Sequence, residues 1–302
     1  MTSLDDIIAD FFSGRIESGM SRLADHLLKN KHAMDAESWN RYITGVCLPH
    51  QIKEIVHEDP FTRRAFQKPR GYAGDAKLLD FIYQPATVLD ERPSERGLAI
   101  AEYCLHRPAP LAVRARCQQM AELIDRVAAT IHRPTVLSIA AGHVREAAQS
   151  CAVQSGQVGR YVVLDQDHRS LTVADRTYAH LGVRTLHGTV RGLLTERTPL
   201  ENFDLVYAIG LFDYLSQPLA RRLIRAMFNL LRPGGRVVAA NFLPGLPDVG
   251  YMETFMDWRL VYRTREEMAD LAAEIPLAQL DGVHIFDNGT RHLAFLELTK
   301  SK

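Results

Sequence analysis

From Leu4 to Val127 apolar residues recur at steps of three and four, as at Ile7 and Phe11 and again at Ile52, Ile55 and Val56. That spacing lays one apolar stripe along a helix, so this half of the chain is expected to be helix after helix. One stretch breaks the rhythm. Between Phe61 and Asp75 two glycines, a proline and four basic residues interrupt the period and predict a loop or a helix connector.

From Pro134 the texture changes to short apolar runs separated by helical segments and turn residues. Val136–Ala140, Tyr161–Leu164, Val183–Leu186, Phe203–Ile209 and Arg236–Phe242 read as strands, and Val144–Ser150, Ser170–His180 and Pro218–Leu231 as helices. Strand and helix in alternation predict an α/β fold with a parallel sheet, right-handed crossovers and helices on both faces. A long helical stretch, Tyr251–Glu274, follows, and Gly282–Asp287 with His292–Leu298 has the spacing of a hairpin at the sheet edge. The expected organisation is a helical region over residues 1–130 and an α/β domain over 131–302.

Composition narrows the partners. The chain of 302 residues is 46% hydrophobic with 36 basic and 36 acidic residues, a net charge of zero. No chain-wide footprint for nucleic acid or an anionic membrane exists. Runs such as Val237–Ala240 are far too short to span a bilayer, and the acidic, amphipathic start of the chain is unlike a signal peptide. A cytoplasmic protein with small-molecule partners is expected. Cys47, Cys104, Cys117 and Cys151 are scattered without a C-x-x-C pair, so neither disulfides nor a metal are anticipated. The apolar stripe of the helical region leaves the oligomeric state open.

In an open parallel sheet, ligands bind beyond the carboxyl ends of the strands. After the first strand come Ala140, Ala141, Gly142 and His143, small residues that let a backbone approach a ligand and lead into free N–H donors. After the second come Asp165, Gln166 and Asp167, where an acid can accept both hydroxyls of a ribose. A dinucleotide and S-adenosylmethionine both fit this much.

The segment Leu230-Leu-Arg-Pro-Gly-Gly-Arg236 resembles the corresponding turn of class I S-adenosylmethionine-dependent methyltransferases, implying a Rossmann-like sheet. Four further blocks extend the likeness: Phe61-Thr-Arg-Arg, Lys68-Pro-Arg-Gly-Tyr-Ala-Gly-Asp75, Gly210-Leu-Phe-Asp-Tyr-Leu215 and Met256-Asp-Trp-Arg-Leu-Val-Tyr-Arg263. Together they resemble the bacterial group of extracellular-factor, or 3-hydroxypalmitic acid methyl ester biosynthesis, proteins over roughly Ile52 to Leu298, with kinship to azetidine-2-carboxylate synthases. This resemblance implies S-adenosylmethionine as cofactor or sole substrate, an N-terminal helical lid, and a small-molecule acceptor of secondary metabolism.

Carried over by position, the resemblance puts Ala140, Ala141 and Gly142 at the methionine end of the cofactor and Asp165 and Gln166 at the ribose. Gly188 and Thr189 would flank the adenine, and Ile209, Gly210, Asp213 and Tyr214 would border the reacting end. Arg70, Tyr72 and Asp75 would belong to the lid, with Arg70 meeting the carboxylate and Asp75 the amino group; the alternative is an Arg70–Asp75 surface ion pair. Where the relatives carry Gly-Cys-Gly-Pro this chain has Ala-Ala-Gly-His, which puts His143 forward as a base. The third-strand turn lacks the acid that often bonds adenine, leaving His187 or Thr189 as substitutes.

Methyl transfer to a carboxylate, hydroxyl or amine would use His143, or a cation such as Arg259 or Arg263 to orient a carboxylate, with Tyr262 nearby. Cyclisation of the cofactor to azetidine-2-carboxylate and methylthioadenosine would instead use a cage of Tyr72, Tyr207 and Asn241. A silent sensor that binds the cofactor is the third reading.

Overall fold

A computed structural model describes residues 3–84, 93–195, 200–287 and 289–302. The chain divides into two compact units, Met1–Leu111 with Gly245–Arg259, and Ala112–Pro244 with Leu260–Lys302.

The first unit is helical: α1 Leu4–Phe12, α2 Ile16–Ala33, α3 Ala36–Tyr42, α4 Ile52–Val56, α5 Pro60–Gln67, α6 Ala76–Tyr83, α7 Glu95–Leu105, the first turn of α8 (Pro108–Thr130), and a later helix, Val249–Phe255. The helix starts are written in the sequence. Ser3 and Asp6 form a reciprocal capping box, and Asp59 accepts the Phe61 and Thr62 amides at 2.8 and 3.0 Å with Pro60 opening the first turn. The punctuated stretch is therefore half helix. It runs helical to Gln67, ends on left-handed Lys68 (φ 49°), and turns through Gly71 (φ 92°) into the next N-cap, Asp75. Helix Val249–Phe255 lies so close to α2 that a Cβ on Gly250 would stand 2.8 Å from the backbone of Leu27 and Leu28.

The second unit holds a seven-stranded sheet of order β3-β2-β1-β4-β5-β7-β6. Its strands are β1 Thr135–Ile139, β2 Arg160–Asp165, β3 Val183–His187, β4 Phe203–Ala208, β5 Leu231–Phe242, β6 Leu280–Asp287 and β7 Leu293–Lys300. The first five are parallel, and the closing hairpin adds β7 antiparallel to β5 with β6 outside it. This is the expected Rossmann-like α/β fold with its edge hairpin.

Strand order reverses between β1 and β4. On one face Leu137, Ile139, Val206, Ala208, Val237 and Ala239 pack into a single core with Leu223, Ile224, Met227 and Phe228. Alternate residues on the other face, such as Val136, Ser138, Tyr161, Val163, Leu205 and Val238, are buried too, as expected for a parallel sheet covered on both sides.

Three expected elements differ. The helix after β1 is two short helices, α9 Glu146–Gln149 and α10 Cys151–Gln154, because Val144 takes a left-handed backbone (φ 48°) and Ser150 is extended between them. Asp125 caps the second, accepting from Ser150 Oγ at 2.6 Å and the Ala152 amide at 2.8 Å. The segment Arg232–Gly235 lies inside β5 as a bulge: Phe203 pairs with Leu231 while Leu205 already pairs with Arg236. Gly235 is required there, since a Cβ would stand 2.8 Å from the Phe203 carbonyl oxygen. Finally, Tyr251–Glu274 is not one helix: Val249–Phe255 and Arg265–Ala269 are separated by irregular chain in which Asp257 is left-handed (φ 43°). Among the described residues no helix is long and apolar enough to cross a membrane.

Candidate ligand site at the carboxyl edge of the sheet

β1 runs into a turn in which Ala140 (φ 51°), Gly142 (φ 57°) and Val144 (φ 48°) are all left-handed, a costly conformation for the non-glycine residues. Hydrogen bonds hold it. The Ala141 amide donates to the Leu164 carbonyl at 3.1 Å, and the Gly142 amide donates to Asp165 Oδ2 at 2.8 Å. Asp165 Oδ1 accepts the Asp167 amide, also at 2.8 Å. This carboxylate, 5% exposed at the end of β2, thus ties the β1 turn to its own loop with one N–H on each oxygen. A carboxylate oxygen has two acceptor sites, so one remains on each for a hydroxyl donor.

The β3 turn closes on the same residue. The Gly188 amide donates to the Asp165 carbonyl at 3.0 Å, and a Cβ on Gly188 would meet the Leu164 side chain at 3.0 Å. Thr189 is the N-cap of α12 (Val190–Leu194), with its Oγ1 accepting the Gly192 amide at 3.1 Å. Gln166 is exposed, and its carbonyl lies 3.2 Å from His187 Nε2. The His187 ring stacks on His168 at 3.8 Å and 10°.

At the end of β4, Ile209 and Gly210 are half-buried, Asp213 is buried and Tyr214 is exposed. Asp213 Oδ1 accepts the Phe242 amide at 2.7 Å, and its carbonyl accepts the Val261 amide at 2.7 Å. Burial pushes the Asp213 carboxyl up to about 6, against the opposing charges of Arg116 and Arg263. The Arg116 guanidinium lies beside Gly210: its nitrogens stand 3.7 and 4.0 Å from where a Cβ would be.

Several residues singled out for chemistry are placed elsewhere. Asn241 and Tyr207 are fully buried. Asn241 Nδ2 donates to the Phe242 and Val261 carbonyls at 2.9 and 2.8 Å, and its Oδ1 accepts Arg263 Nη1 at 2.5 Å. Arg263, expected to orient an acceptor, is buried and also donates to the Phe212 and Leu215 carbonyls and to Gln217 Oε1. It ties the loop after β4 to the end of β5. Tyr207 donates to buried Glu146 at 2.6 Å and meets the Tyr161 hydroxyl. Alternation along a strand marks two faces but not depth, so the full burial of these polar groups on β4 and β5 is not legible in it.

His143 is also buried, within the turn before α9. Tyr262 is half-buried in the second unit. Arg70, Tyr72, Asp75 and Arg259 belong to the first unit. There Asp75 is fully buried, caps α6 by accepting the Leu78 amide at 2.7 Å, and pairs with Arg64 at 2.7 Å. The alternative of a surface pair with Arg70 is not what Asp75 forms: its ion-pair partner is half-buried Arg64.

Two groups went unremarked in the sequence. Glu146 is one: burial pushes its carboxyl up, opposed by the Tyr207 hydrogen bond and by the Arg116 and Arg145 charges. Arg116 is the other. It occupies the buried stripe Ala112, Arg116, Met120, Leu123, Val127 of α8, and a cation at an apolar position of a helix was the signal to read.

Among the described residues no group of three or more His, Cys, Asp or Glu side chains is placed to hold a metal ion. Residues 136–235 match the family model described as methyltransferase domain. No curated protein matches the sequence. The fold is similar to the crystal structure of a possible exported protein from Bordetella parapertussis, at 18% identity and a TM-score of 0.64 over 96% of this chain and 97% of that one. It is also similar to the S-adenosylmethionine-dependent methyltransferase SibL, at 17% identity and a TM-score of 0.50 over 80% of this chain and 74% of that one.

Proposed function

We propose that the second unit binds S-adenosylmethionine at the carboxyl edge of its sheet and that the chain transfers the methyl group to a small-molecule carboxylate, hydroxyl or amine. The observation that carries this reading is Asp165. Its two oxygens are fixed by the Gly142 and Asp167 amides, and each keeps an acceptor site for one of two vicinal hydroxyls. The methyltransferase-domain match over residues 136–235 spans this constellation and supports the choice of cofactor.

The residues present fit that ligand. Asp165 would hold the ribose, the Ala140–Gly142 turn would approach the methionine arm, and Gly188, packed against the Leu164 side chain, would flank the base. When bound, the sulfonium supplies an electrophilic methyl with a neutral leaving group. The protein's task is then alignment and exclusion of water rather than strong acid–base chemistry. Gly210 and buried Asp213 border the end where an acceptor would enter. Tyr207 and Asn241, which a cyclising cage would use, are fully buried, and methyl transfer is the reading adopted. The four free thiols support a reducing, cytoplasmic setting.

The test is calorimetry with S-adenosylhomocysteine on wild type and Asp165→Ala, with incubation in S-adenosylmethionine followed by mass spectrometry. Binding lost in the variant, and S-adenosylhomocysteine formed only when a cell extract supplies an acceptor, is the expected result. Methylthioadenosine with azetidine-2-carboxylate from the cofactor alone would establish cyclisation instead. Tight binding with no product in either case would establish a sensor.

A further inference from the structure

Glu146 is a buried acid that neither the ribose grip nor the transfer step uses, and it stands directly after a strained stretch of backbone. Ala140, Gly142 and Val144 are left-handed within five residues, and a β-branched residue there keeps its conformation only where the surroundings over-determine it. On its leading side the turn is pinned to β2, by the Ala141 amide on the Leu164 carbonyl and the Gly142 amide on Asp165. On its trailing side α9 is four residues long and begins without a side-chain cap, so local structure holds the chain weakly. The tie there is the Glu146 carboxyl, which accepts the Tyr207 hydroxyl at 2.6 Å, with the Tyr161 hydroxyl bonded to that of Tyr207. Tyr207 stands opposite Ser138 on β4 and Tyr161 opposite Val136 on β2, so both neighbours of β1 fasten the helix that leaves its turn.

We infer that Glu146 is a positioning residue for the ligand site: held by Tyr207, it keeps the turn after β1 left-handed and so keeps the Gly142 amide on Asp165. Freed of that tie, Ala140 and Val144 relax toward the ordinary helical or extended regions, and the Gly142 amide leaves Oδ2. Asp165 then loses one of the two donors that aim its oxygens. The consequence for a nucleoside rests on the cofactor reading given above, whereas the hold on Gly142 does not. In this role Glu146 touches no ligand and acts only through Gly142 and Asp165.

Two readouts on the full chain test this: the amide proton resonance of Gly142, which its carboxylate hydrogen bond displaces downfield, and calorimetry with S-adenosylhomocysteine. Tyr207→Phe keeps the ring and removes the donor. The Gly142 resonance should then move upfield while that of Ile224, in the helix Gln217–Asn229, stays, and affinity should fall about tenfold. Glu146→Gln, which keeps an acceptor for Tyr207, should hold the resonance and keep affinity within about threefold. Adding Ala140→Gly to Tyr207→Phe should recover most of the affinity, because glycine takes the left-handed form without steric cost. An unmoved Gly142 resonance in Tyr207→Phe overturns the inference, and so does an affinity loss that Ala140→Gly leaves unrepaired, the result of a merely structural hydroxyl. Ala140→Gly alone should raise the melting temperature; a lowered one overturns the inference even where Tyr207→Phe does not fold. Wild type that does not bind S-adenosylhomocysteine overturns the cofactor reading, and the Gly142 resonance then decides the positioning role by itself.

Discussion

The Tyr207 hydroxyl donates to the Glu146 carboxyl at 2.6 Å in the interior: Tyr207 is fully buried and Glu146 is 5% exposed. Tyr161 extends the chain by a hydrogen bond to the Tyr207 hydroxyl. Burial pushes both phenols far above their usual range, so both stay protonated, Tyr207 donating to the acid and Tyr161 bonded to the Tyr207 hydroxyl.

Tyr207→Phe is expected to destabilise the protein by about 1–3 kcal/mol, because a buried carboxyl loses its donor with no water to replace it. Urea unfolding at neutral pH measures this. A loss well under 0.5 kcal/mol would show that the hydroxyl chain contributes little to the fold, on the scale of an ordinary net hydrogen bond of about 1 kcal/mol.

Asp213 gives a pH dependence of defined sign. Its folded-state value of about 6 lies above the ordinary 3.8, so between these limits the folded state holds a proton that the unfolded chain has released. Stability contributed at this site therefore falls as pH rises from about 4 to about 6 and is flat beyond, by an amount on the order of 3 kcal/mol. Asp213→Asn, which keeps an acceptor for the Phe242 amide, should flatten that part of the stability curve in urea titrations across the range. An unchanged slope would place the titration on another group, Asp59 being buried and similarly raised to about 6.

Arg263→Met should cost roughly 2–5 kcal/mol, since it strips donors from the Phe212 and Leu215 carbonyls, Asn241 Oδ1 and Gln217 Oε1. Its signature is a lowered melting temperature together with nucleoside affinity that is retained below the melt. An affinity loss with an unchanged melting temperature would return Arg263 to the binding site.

Gly250→Ala is expected to lower stability by about 1–3 kcal/mol, because the new methyl meets the rigid backbone of Leu27 and Leu28 at 2.8 Å. Gly188→Ala should cost under about 1 kcal/mol by comparison, because its neighbour at 3.0 Å is a Leu164 side-chain methyl that can rotate away. Thermal melts of the two variants side by side decide whether the neighbour's stiffness controls the outcome.

The parallel strands were legible because each is a short aliphatic run bounded by turn residues, and β1 to β4 lie within a residue or two of their expected limits. Asp165 was legible for the same reason, being the acid that ends such a run. The stretch from Tyr251 was not. Met252, Phe255, Met256 and Trp258 keep a helix-like burial, but left-handed Asp257 breaks the hydrogen-bond ladder between them, and periodicity does not register a single dihedral angle. Depth was equally hidden: Asn241 and Arg263 look like site chemistry in one dimension, and only their mutual hydrogen bond shows that they hold the loop after β4 to the end of β5. Arg116 was passed over because it sits among helix residues far from any turn.

Asp165 is a fastener that would also be the receptor in the proposed function, gripping the Gly142 and Asp167 amides with the same two oxygens that would greet a sugar. Ordering of these loops and occupancy by ligand are consequently one thermodynamic event seen from two sides. Amide exchange at Gly142 and Asp167 in the empty protein should already be slow, and should slow further together, by a common factor, as a nucleoside fills the remaining lone pairs.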